Sequence, residues 1–164
     1  MKVLVTGAAG QLGTELVSVF ERGGHEVVGT THATLDISQP TAVAECVAAV
    51  KPNFIVHAAA WTAVDACESD AEKAFAVNGT ATASLVSAAE KVGARVAYVS
   101  TDYVFDGSKT SPYVETDAVN PQSVYGASKL AGEQALRPVD LIVRLSWVCG
   151  FHGANMVKTI LRIA

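Results

Sequence analysis

Short apolar runs rich in valine and isoleucine alternate along the chain with longer alanine-rich stretches of helical period. A short continuous apolar run is typical of a strand buried on both faces of a parallel sheet, and the periodic stretches between such runs are typical of crossover helices. The pattern predicts an α/β fold: a doubly wound parallel sheet with helices on both faces. The predicted strands are Lys2–Thr6, Glu26–Thr30, Asn53–His57, Arg95–Ser100 and Asp140–Leu145.

The predicted helices are Gln11–Arg22, Pro40–Val50, Asp70–Val92 and Val124–Leu136. Pro40 suits a first helical position, and Gly23 and Gly93 stand where a left-handed residue ends a helix. The longest irregular segment, residues 101–123, is expected to be functional. A last amphipathic helix begins at Asn155 and reaches Ala164 without a stop signal, so we expect residues 1–164 to be one domain of a longer protein.

Composition narrows the class of protein. A chain of 164 residues with 50% hydrophobic and 17% charged residues can bury a core without a metal or a disulfide. The net charge is -4 and the 12 Lys and Arg residues are scattered, which argues against nucleic acid as a partner. The sequence contains no apolar stretch of about 20 residues and no secretory signal, so we expect no membrane span and a cytoplasmic location.

Neither cysteine nor histidine spacing predicts a metal site. Cys46, Cys67 and Cys149 are far apart, so we expect reduced and mostly buried thiols. His57 follows an apolar run at a predicted strand end, and we interpret it as structural rather than catalytic.

The turn after the first predicted strand reads Thr6-Gly-Ala-Ala-Gly-Gln-Leu-Gly13 and leads into a helix. Gly7 would permit a sharp turn, Gly10 would let the backbone approach a pyrophosphate, and Gly13 would let the helix pack closely on the sheet. The free N–H groups at the helix start would face the anion. This context predicts a Rossmann-like dinucleotide-binding domain, although the glycine spacing differs from the common G-x-G-x-x-G.

The end of the second predicted strand bears on the choice of dinucleotide. Thr30 is followed by Thr31 and His32, where an enzyme strict for NAD usually has an acid for the ribose 2′-hydroxyl. An adenosine 2′-phosphate would meet no carboxylate here and His32 could help to bind it, so NADPH is a candidate cofactor; no arginine is present at this place, so NADH stays open. Asp36 and Ile37 are candidates to flank the adenine, and the alternative for Asp36 is a loop-capping role next to Ser38.

Three side chains form a candidate catalytic group. Tyr125 and Lys129 are four residues apart at the start of a predicted helix, so they share one face. We expect the ammonium to lower the pKa of the phenol, which would make it a usable acid near neutral pH. Thr101, with Ser100 as the alternative, would hydrogen-bond a substrate carbonyl at the carboxyl end of the fourth strand.

Three segments of the sequence resemble those of a known enzyme family: the glycine turn, Ser100-Thr-Asp-Tyr-Val-Phe-Asp-Gly107, and Tyr125-Gly-Ala-Ser-Lys-Leu-Ala-Gly-Glu133. Together they look like the extended short-chain dehydrogenases/reductases, and within them most like the dTDP-4-dehydrorhamnose reductases. The match runs over nearly the whole chain. Similar stretches also follow the third and fifth strands, at residues 58–65 and 144–148, and Asn78-Gly-Thr80 lies between them. Trp61 departs from the family, in which histidine is common at this position.

The resemblance implies reduction of the 4-keto group of a dTDP-4-keto-6-deoxy sugar, giving dTDP-L-rhamnose, by NADPH or NADH. It implies Thr101, Tyr125 and Lys129 as the catalytic residues. Some relatives dimerise with Mg²⁺ at the interface, so the resemblance offers a homodimer and Glu15 as a candidate Mg²⁺ ligand; the alternative for Glu15, a solvated surface residue, is the more common role of a single glutamate on a first helix. The implied cofactor contacts are Gly7, Gly10, Gln11, Leu12, Gly13, Thr30, Asp36, Ile37, Ala58, Ala59, Ala60, Val99, Tyr125 and Lys129. The implied substrate contacts are Thr62, Thr101, Asp102 and Trp147.

Family members continue beyond this length into a sugar-nucleotide-binding lobe, which we expect this chain to lack. Two alternatives remain. Sugar-nucleotide dehydratases and epimerases share the fold, but dehydratases resemble Thr-Asp-Glu where this chain has Tyr103, so elimination would lack its base. A non-catalytic NADP-binding subunit, similar to the methionine adenosyltransferase β subunit, would need an exposed apolar surface for its partner.

Overall fold

Five parallel strands form one sheet in the order β2-β1-β3-β4-β5 in the computed structural model, which describes residues 1–163. Every paired register is parallel, so each connection is a crossover. The strands are β1 Lys2–Thr6, β2 Glu26–Thr30, β3 Phe54–His57, β4 Arg95–Thr101 and β5 Leu141–Leu145.

Seven α-helices within the described residues connect and cover the strands. They are α1 Gln11–Arg22, α2 Pro40–Val50, α3 Val64–Ser69, α4 Ala71–Phe75, α5 Ala81–Lys91, α6 Val124–Gln134 and α7 Met156–Ile163. A π-helical turn, Ala76–Thr80, joins α4 to α5, and a 3₁₀ turn, Asp102–Val104, follows β4. The helix predicted from Asn155 is confirmed as α7; Ala164 lies outside the described residues.

Both faces of the central strands β1, β3 and β4 are buried, which explains their nearly continuous apolar runs, whereas Leu141 and Ile142 of β5 are exposed. Leu4 and Ile55 pack on one face in a core that includes residues of α2 and α5. Val5 and Val56 pack on the other face, with side chains of α1. The strand order reverses between β1 and β3, and at such a switch point an open α/β sheet has a crevice for a ligand. The predicted doubly wound parallel sheet is confirmed.

The helix predicted over Asp70–Val92 is confirmed: α4, the π-helical turn and α5 follow one another without a break, and only the π-helical turn in the middle was not predicted. The structure also has α3 before this helix, which the sequence did not predict. The left-handed residue after α1 is Gly24, with φ of 74°, rather than Gly23; Gly93 has the predicted positive φ of 71°. Pro40 is the first residue of α2, as predicted.

The cysteines are free thiols, but they are less buried than expected: Cys67 is buried, Cys46 is half-buried and Cys149 is exposed. Residues 101–123 are mostly irregular, as predicted. No helix among residues 1–163 combines the length and the apolar character needed to cross a membrane.

Candidate functional site

The glycine turn lies between β1 and α1 at the switch point of the sheet. Gly7 has φ of 72°, and a Cβ there would lie 2.8 Å from the backbone nitrogen of Ala59. A Cβ at Gly13 would overlap the Gly7 carbonyl oxygen and lie 2.8 Å from the Ala8 Cα. These positions have the geometry predicted for them: a sharp turn and close packing of α1. The N-cap of α1, Gly10, has no side-chain cap, so the helix start keeps free N–H groups for an anion.

Two adjoining clefts open along this turn, and Gly7, Gly10, Ala58 and Ala60 line both. The adenosine-side cleft, of about 540 Å³, lies on the β2 side of the turn and includes His32, Leu35, Ile37, Trp61 and Lys73. The reaction cleft, of about 520 Å³, lies on the β4 and β5 side. It brings together the predicted residues Gln11, Leu12, Gly13, Thr62, Val99, Thr101, Asp102, Tyr125, Lys129 and Trp147.

Two predicted cofactor residues do not line either cleft. Thr30 is buried, and its hydroxyl has no hydrogen-bond partner; its carbonyl oxygen accepts from the N–H of Ala8 in the glycine turn. Asp36 accepts hydrogen bonds from the N–H and the hydroxyl of Ser38, which lower the pKa of its carboxyl group. The structure thus gives Asp36 the loop-capping role that the sequence left as an alternative.

Tyr125 lies near the start of α6 with 8% of its surface exposed. Ser123 caps this helix by accepting from the Gly126 N–H, and Glu68 accepts from the Val124 N–H. Burial raises the pKa of the Tyr125 phenol, and the nearby Thr101 hydroxyl opposes this only in part. The expectation that Lys129 lowers this pKa is wrong for the described structure, because burial raises the pKa and Lys129 is not among the groups that affect it.

Lys129 is 2% exposed, and its ammonium group donates to the carbonyl oxygen of Val99 at 2.7 Å. The same Nζ lies 4.0 Å from the centre of the Tyr98 ring. Burial lowers the pKa of Lys129 to about 7, although Glu133 opposes the shift. The amine therefore exchanges its proton near neutral pH, in the cleft where the sequence predicts proton transfer.

Thr101 ends β4 and is buried. Its hydroxyl donates to the Asp102 carboxylate at 3.0 Å and accepts from the Tyr103 N–H at 3.2 Å. Asp102 also accepts from the Ser146 hydroxyl at 2.8 Å, which connects the ends of β4 and β5. Ser100, the alternative, is also buried, and its hydroxyl has no partner.

A buried chain of hydrogen bonds runs beneath the clefts through His57. Its Nδ1 lies 2.7 Å from the Thr6 hydroxyl, and its Nε2 lies 3.2 Å from the Thr82 hydroxyl. Since the Thr82 hydroxyl already donates to the Asn78 carbonyl oxygen, Nε2 carries the ring proton and Nδ1 accepts from Thr6. Burial and the charge of Lys129 lower the pKa of His57 to about 3, so the ring is neutral. This arrangement agrees with the structural role predicted for His57.

Asn78 is a site residue whose role the sequence did not reveal. It lies in the π-helical turn and is 1% exposed. Its side chain bonds both the N–H and the carbonyl of Trp61 and also donates to the Ser128 hydroxyl. It therefore fixes the loop after β3 to α6, the helix that carries Tyr125 and Lys129. The sequence marks Asn78-Gly79-Thr80 only as a segment that resembles the family. The positioning role of Asn78 becomes visible in the structure, where the residue lies in a π-helical turn. Such turns are frequent at functional sites.

The segment after β5 closes one side of the reaction cleft. Gln11 donates to the Val148 carbonyl at 2.7 Å, and Glu15 pairs with His152 at 2.8 Å. Trp147 is 72% exposed and has φ of 50°, an uncommon backbone conformation for a large residue. Among residues 1–163, no group of three or more His, Cys, Asp and Glu side chains could hold a metal ion.

The sequence of this chain matches a known family. The model of the family described as "RmlD substrate binding domain" matches residues 1–164. The dTDP-4-dehydrorhamnose reductase of Burkholderia thailandensis is 46% identical over all of this chain and 56% of its own length. The chain therefore spans little more than half of that relative.

Solved structures have the same fold. A dTDP-4-dehydrorhamnose reductase from Clostridium acetobutylicum superposes with a TM-score of 0.95 at 44% identity, over 99% of this chain and 59% of that one. The reductase from Bacillus anthracis, solved in complex with NADP, gives 0.94 at 37% identity over 99% and 59%. Sequence, fold and cleft agree that this chain belongs to the RmlD substrate binding domain family, among extended short-chain dehydrogenases/reductases related to dTDP-4-dehydrorhamnose reductase.

Proposed function

We propose that this chain is the cofactor-binding and catalytic part of an NAD(P)H-dependent reductase. Its substrate would be a dTDP-4-keto-6-deoxy sugar, and reduction of dTDP-4-dehydrorhamnose would give dTDP-L-rhamnose. One observation carries the proposal: the reaction cleft is lined both by the glycine turn and by Thr101, Tyr125 and Lys129. The similarity to dTDP-4-dehydrorhamnose reductases supports the choice of this reaction.

The residues present fit a dinucleotide. The uncapped start of α1 leaves N–H donors for a pyrophosphate, and Gly10, which has no Cβ, lines both clefts beside them. Ala58 and Ala60 line both clefts and would lie along its middle, and Val99 lies at the reaction end. When bound, the reduced nicotinamide supplies the hydride for the carbonyl carbon.

The side chains of the chain supply the rest of the chemistry. Tyr125 keeps its proton at neutral pH because burial raises the pKa of its phenol, so it can give that proton to the substrate oxygen. Thr101 would hydrogen-bond the same oxygen and stabilise its developing charge. Lys129 would use the N–H groups that do not bond Val99 to hold the nicotinamide ribose. Thr62, Asp102 and Trp147 line the same cleft and would contact the sugar.

A homodimer and a cytoplasmic location are also part of the proposed function, and both remain predictions from the sequence. Magnesium receives no support from the described residues, since Glu15 is paired with His152.

The test is oxidation of NADPH and NADH by the intact protein in the presence of dTDP-4-keto-6-deoxy-L-mannose. Tyr125→Phe should lower kcat by about 10²- to 10⁴-fold, as expected for loss of a general acid, while dinucleotide binding is retained. Tyr113→Phe is the matched control, since the Tyr113 hydroxyl bonds Asp106 and does not line the reaction cleft. Near-normal kcat in Tyr125→Phe would refute the assignment of the proton donor.

A non-catalytic binding subunit remains the second candidate because the structure exposes apolar side chains beyond β5. Trp147, Phe151 and Leu161 are 72%, 93% and 74% exposed. Such a surface is what a partner-binding protein needs. Tight dinucleotide binding without turnover of any keto-sugar would favour this candidate.

A further inference from the structure

The 3₁₀ turn after β4 brings a second tyrosine to the reaction cleft. Tyr103 lies in this turn and lines the cleft together with Tyr125. The two rings meet edge to face, with their centres 5.6 Å apart and their planes at 76°. This is one of the favoured geometries of an aromatic pair. Tyr103 is 44% exposed and Tyr125 only 8%, so the Tyr103 ring covers part of the buried ring on its solvent side.

The backbone of Tyr103 is fixed on both sides of its ring. Its N–H donates to the Thr101 hydroxyl at 3.2 Å, which caps the turn. Its carbonyl oxygen lies so close to α6 that a Cβ at Gly126 would overlap it. Gly126 directly follows Tyr125 in the chain. One residue of the turn therefore contacts both the candidate carbonyl donor, Thr101, and the helix position of the candidate proton donor.

The other contacts of the Tyr125 ring come from the interior of the protein. The ring belongs to a buried cluster with Cys67 of α3 and Ala74 of α4. Burial is the largest cause of the raised pKa of its phenol. The polar and ionisable groups that act on the phenol are Thr101, Cys67, Asp102 and Tyr103, and Lys129 lines the same cleft. Of these groups, Tyr103 is the one that contributes an aromatic ring, so loss of this ring is the change that would let water reach the phenol.

We propose that Tyr103 is a positioning residue for the reduction: its ring holds the Tyr125 ring in the orientation for proton transfer and keeps water away from the phenol. The inference deepens the proposed function and rests on it for the identity of the reaction. Tyr103 transfers no proton itself and acts through Tyr125. A general acid works when its hydroxyl is held within hydrogen-bond reach of the substrate oxygen, and exclusion of water strengthens that bond.

Three variants of the intact protein separate the effect of the ring from that of the hydroxyl and of the surrounding loop. Tyr103→Leu removes the ring, and Tyr103→Phe removes only the hydroxyl. Tyr113→Leu is the matched control, because Tyr113 stacks on Phe105 in the same irregular segment but does not line the reaction cleft.

Steady-state kinetics with dTDP-4-keto-6-deoxy-L-mannose measures the positioning effect. In Tyr103→Leu, kcat should fall about tenfold, the upper range for loss of one aromatic pair, while the Kd of NADPH stays within about twofold of the wild-type value. Tyr103→Phe keeps the edge-to-face contact and should restore most of the lost kcat. Tyr113→Leu should keep kcat within about threefold of wild type, since no contact of Tyr125 changes.

Titration of the phenol measures the exclusion of water without any turnover. NMR of ring-labelled tyrosine follows the ionisation, and the Tyr125 signal is assigned by its loss in Tyr125→Phe. In the wild-type protein, burial holds the pKa of Tyr125 above its ordinary value. Tyr103→Leu exposes the phenol to water and should lower this pKa towards the ordinary value, whereas Tyr103→Phe and Tyr113→Leu should leave it raised.

An unchanged Tyr125 pKa in Tyr103→Leu would overturn the inference, and so would near-normal kcat of this variant in an active enzyme. Equal effects in Tyr103→Leu and Tyr113→Leu would also overturn it, because they would show a general change of the loop. A lowered Tyr125 pKa in a protein that turns over no keto-sugar would support the contact between the two rings and refute the proposed reductase. Turnover by the wild-type protein with an unchanged pKa in Tyr103→Leu would do the reverse, so the two failures are distinguishable.

Discussion

The ammonium group of Lys129 donates to the carbonyl oxygen of Val99 at 2.7 Å, and it lines the same reaction cleft as the Tyr125 phenol that it was expected to activate. The bond joins α6 to β4, and it satisfies the ammonium group of a residue that is only 2% exposed. The ring of Tyr98 supports the ammonium at 4.0 Å, and Glu133 favours its charged form. Even so, burial dominates and lowers the pKa of Lys129 to about 7.

This shift predicts that Lys129 destabilises the folded chain at acidic pH. Between pH 7 and 10.5 the unfolded chain binds a proton at Lys129 that the folded chain has released, so the free energy of unfolding rises with pH over this window. Below pH 7 both states are protonated and the full cost of the buried charge remains. Lys129→Met should therefore raise Tm below pH 7, and the gain should shrink as the pH increases towards 10.5.

Thermal unfolding of Lys129→Met and wild type between pH 5 and 10 measures the effect, within roughly the range where lysine linkage operates. The Val99 carbonyl loses its donor in the variant, which offsets the gain by about 1 kcal/mol. Lys91→Met serves as the exposed control. A stability difference that does not change with pH would contradict the lowered pKa.

His57 should remain neutral far below the ordinary range of histidine. Its folded pKa is about 3 against an ordinary value of 6.5, so between these values the unfolded chain binds the extra proton. The free energy of unfolding should therefore fall as the pH decreases through this window. NMR titration of the ring nitrogens measures the pKa, and the signal is assigned by its loss in His57→Gln. Protonation of the folded ring near pH 6.5 would contradict the hydrogen-bond directions assigned to Thr6 and Thr82.

The sequence predicted the five strands and the cleft because both depend on local patterns. Apolar runs locate buried strands, and parallel strands place Thr6, His57 and Tyr98 side by side at one edge of the sheet. The direction of the Tyr125 pKa shift was not predictable, since it depends on how deeply α6 buries the phenol. The π-helical turn at Asn78 was also missed, because helical period continues through it and only its tertiary contacts distinguish it.

Close packing of α6 makes Gly132 sensitive to substitution. A Cβ at this position would overlap the Tyr98 hydroxyl and lie 2.6 Å from the Asn78 carbonyl oxygen. The Tyr98 hydroxyl donates to that carbonyl at 3.2 Å, so the added methyl group would separate α6 from the buried network. Gly132→Ala should destabilise the chain by about 1–3 kcal/mol, as overpacking of a core does.

Urea unfolding of Gly132→Ala measures this cost. Gly150→Ala is the control, because a Cβ at Gly150 would come no closer than 3.7 Å to its nearest neighbour, the side chain of Glu15. Stability equal to wild type in Gly132→Ala would show that α6 can shift without strain.

The two hydroxyls at the end of β4 should differ in their importance for catalysis. Ser100 and Thr101 both line the reaction cleft, but successive residues of a strand point to opposite faces, so they approach it from different directions. Thr101 is the better candidate because its hydroxyl also lies beside the Tyr125 phenol, whose pKa it affects. Thr101→Val should lower kcat by about 10²- to 10³-fold, the range for removal of one donor to a developing oxyanion.

Thr101→Ser keeps the hydroxyl that bonds Asp102 and accepts from Tyr103, so it should restore most of the activity. Ser100→Ala removes a hydroxyl that has no partner in the described structure, and it should retain kcat within about threefold, since no existing hydrogen bond is broken. Steady-state kinetics of the three variants with one keto-sugar separates these outcomes. A large loss in Ser100→Ala together with normal kcat in Thr101→Val would transfer the role of carbonyl donor to Ser100, and the bond from Thr101 to Asp102 would then be structural.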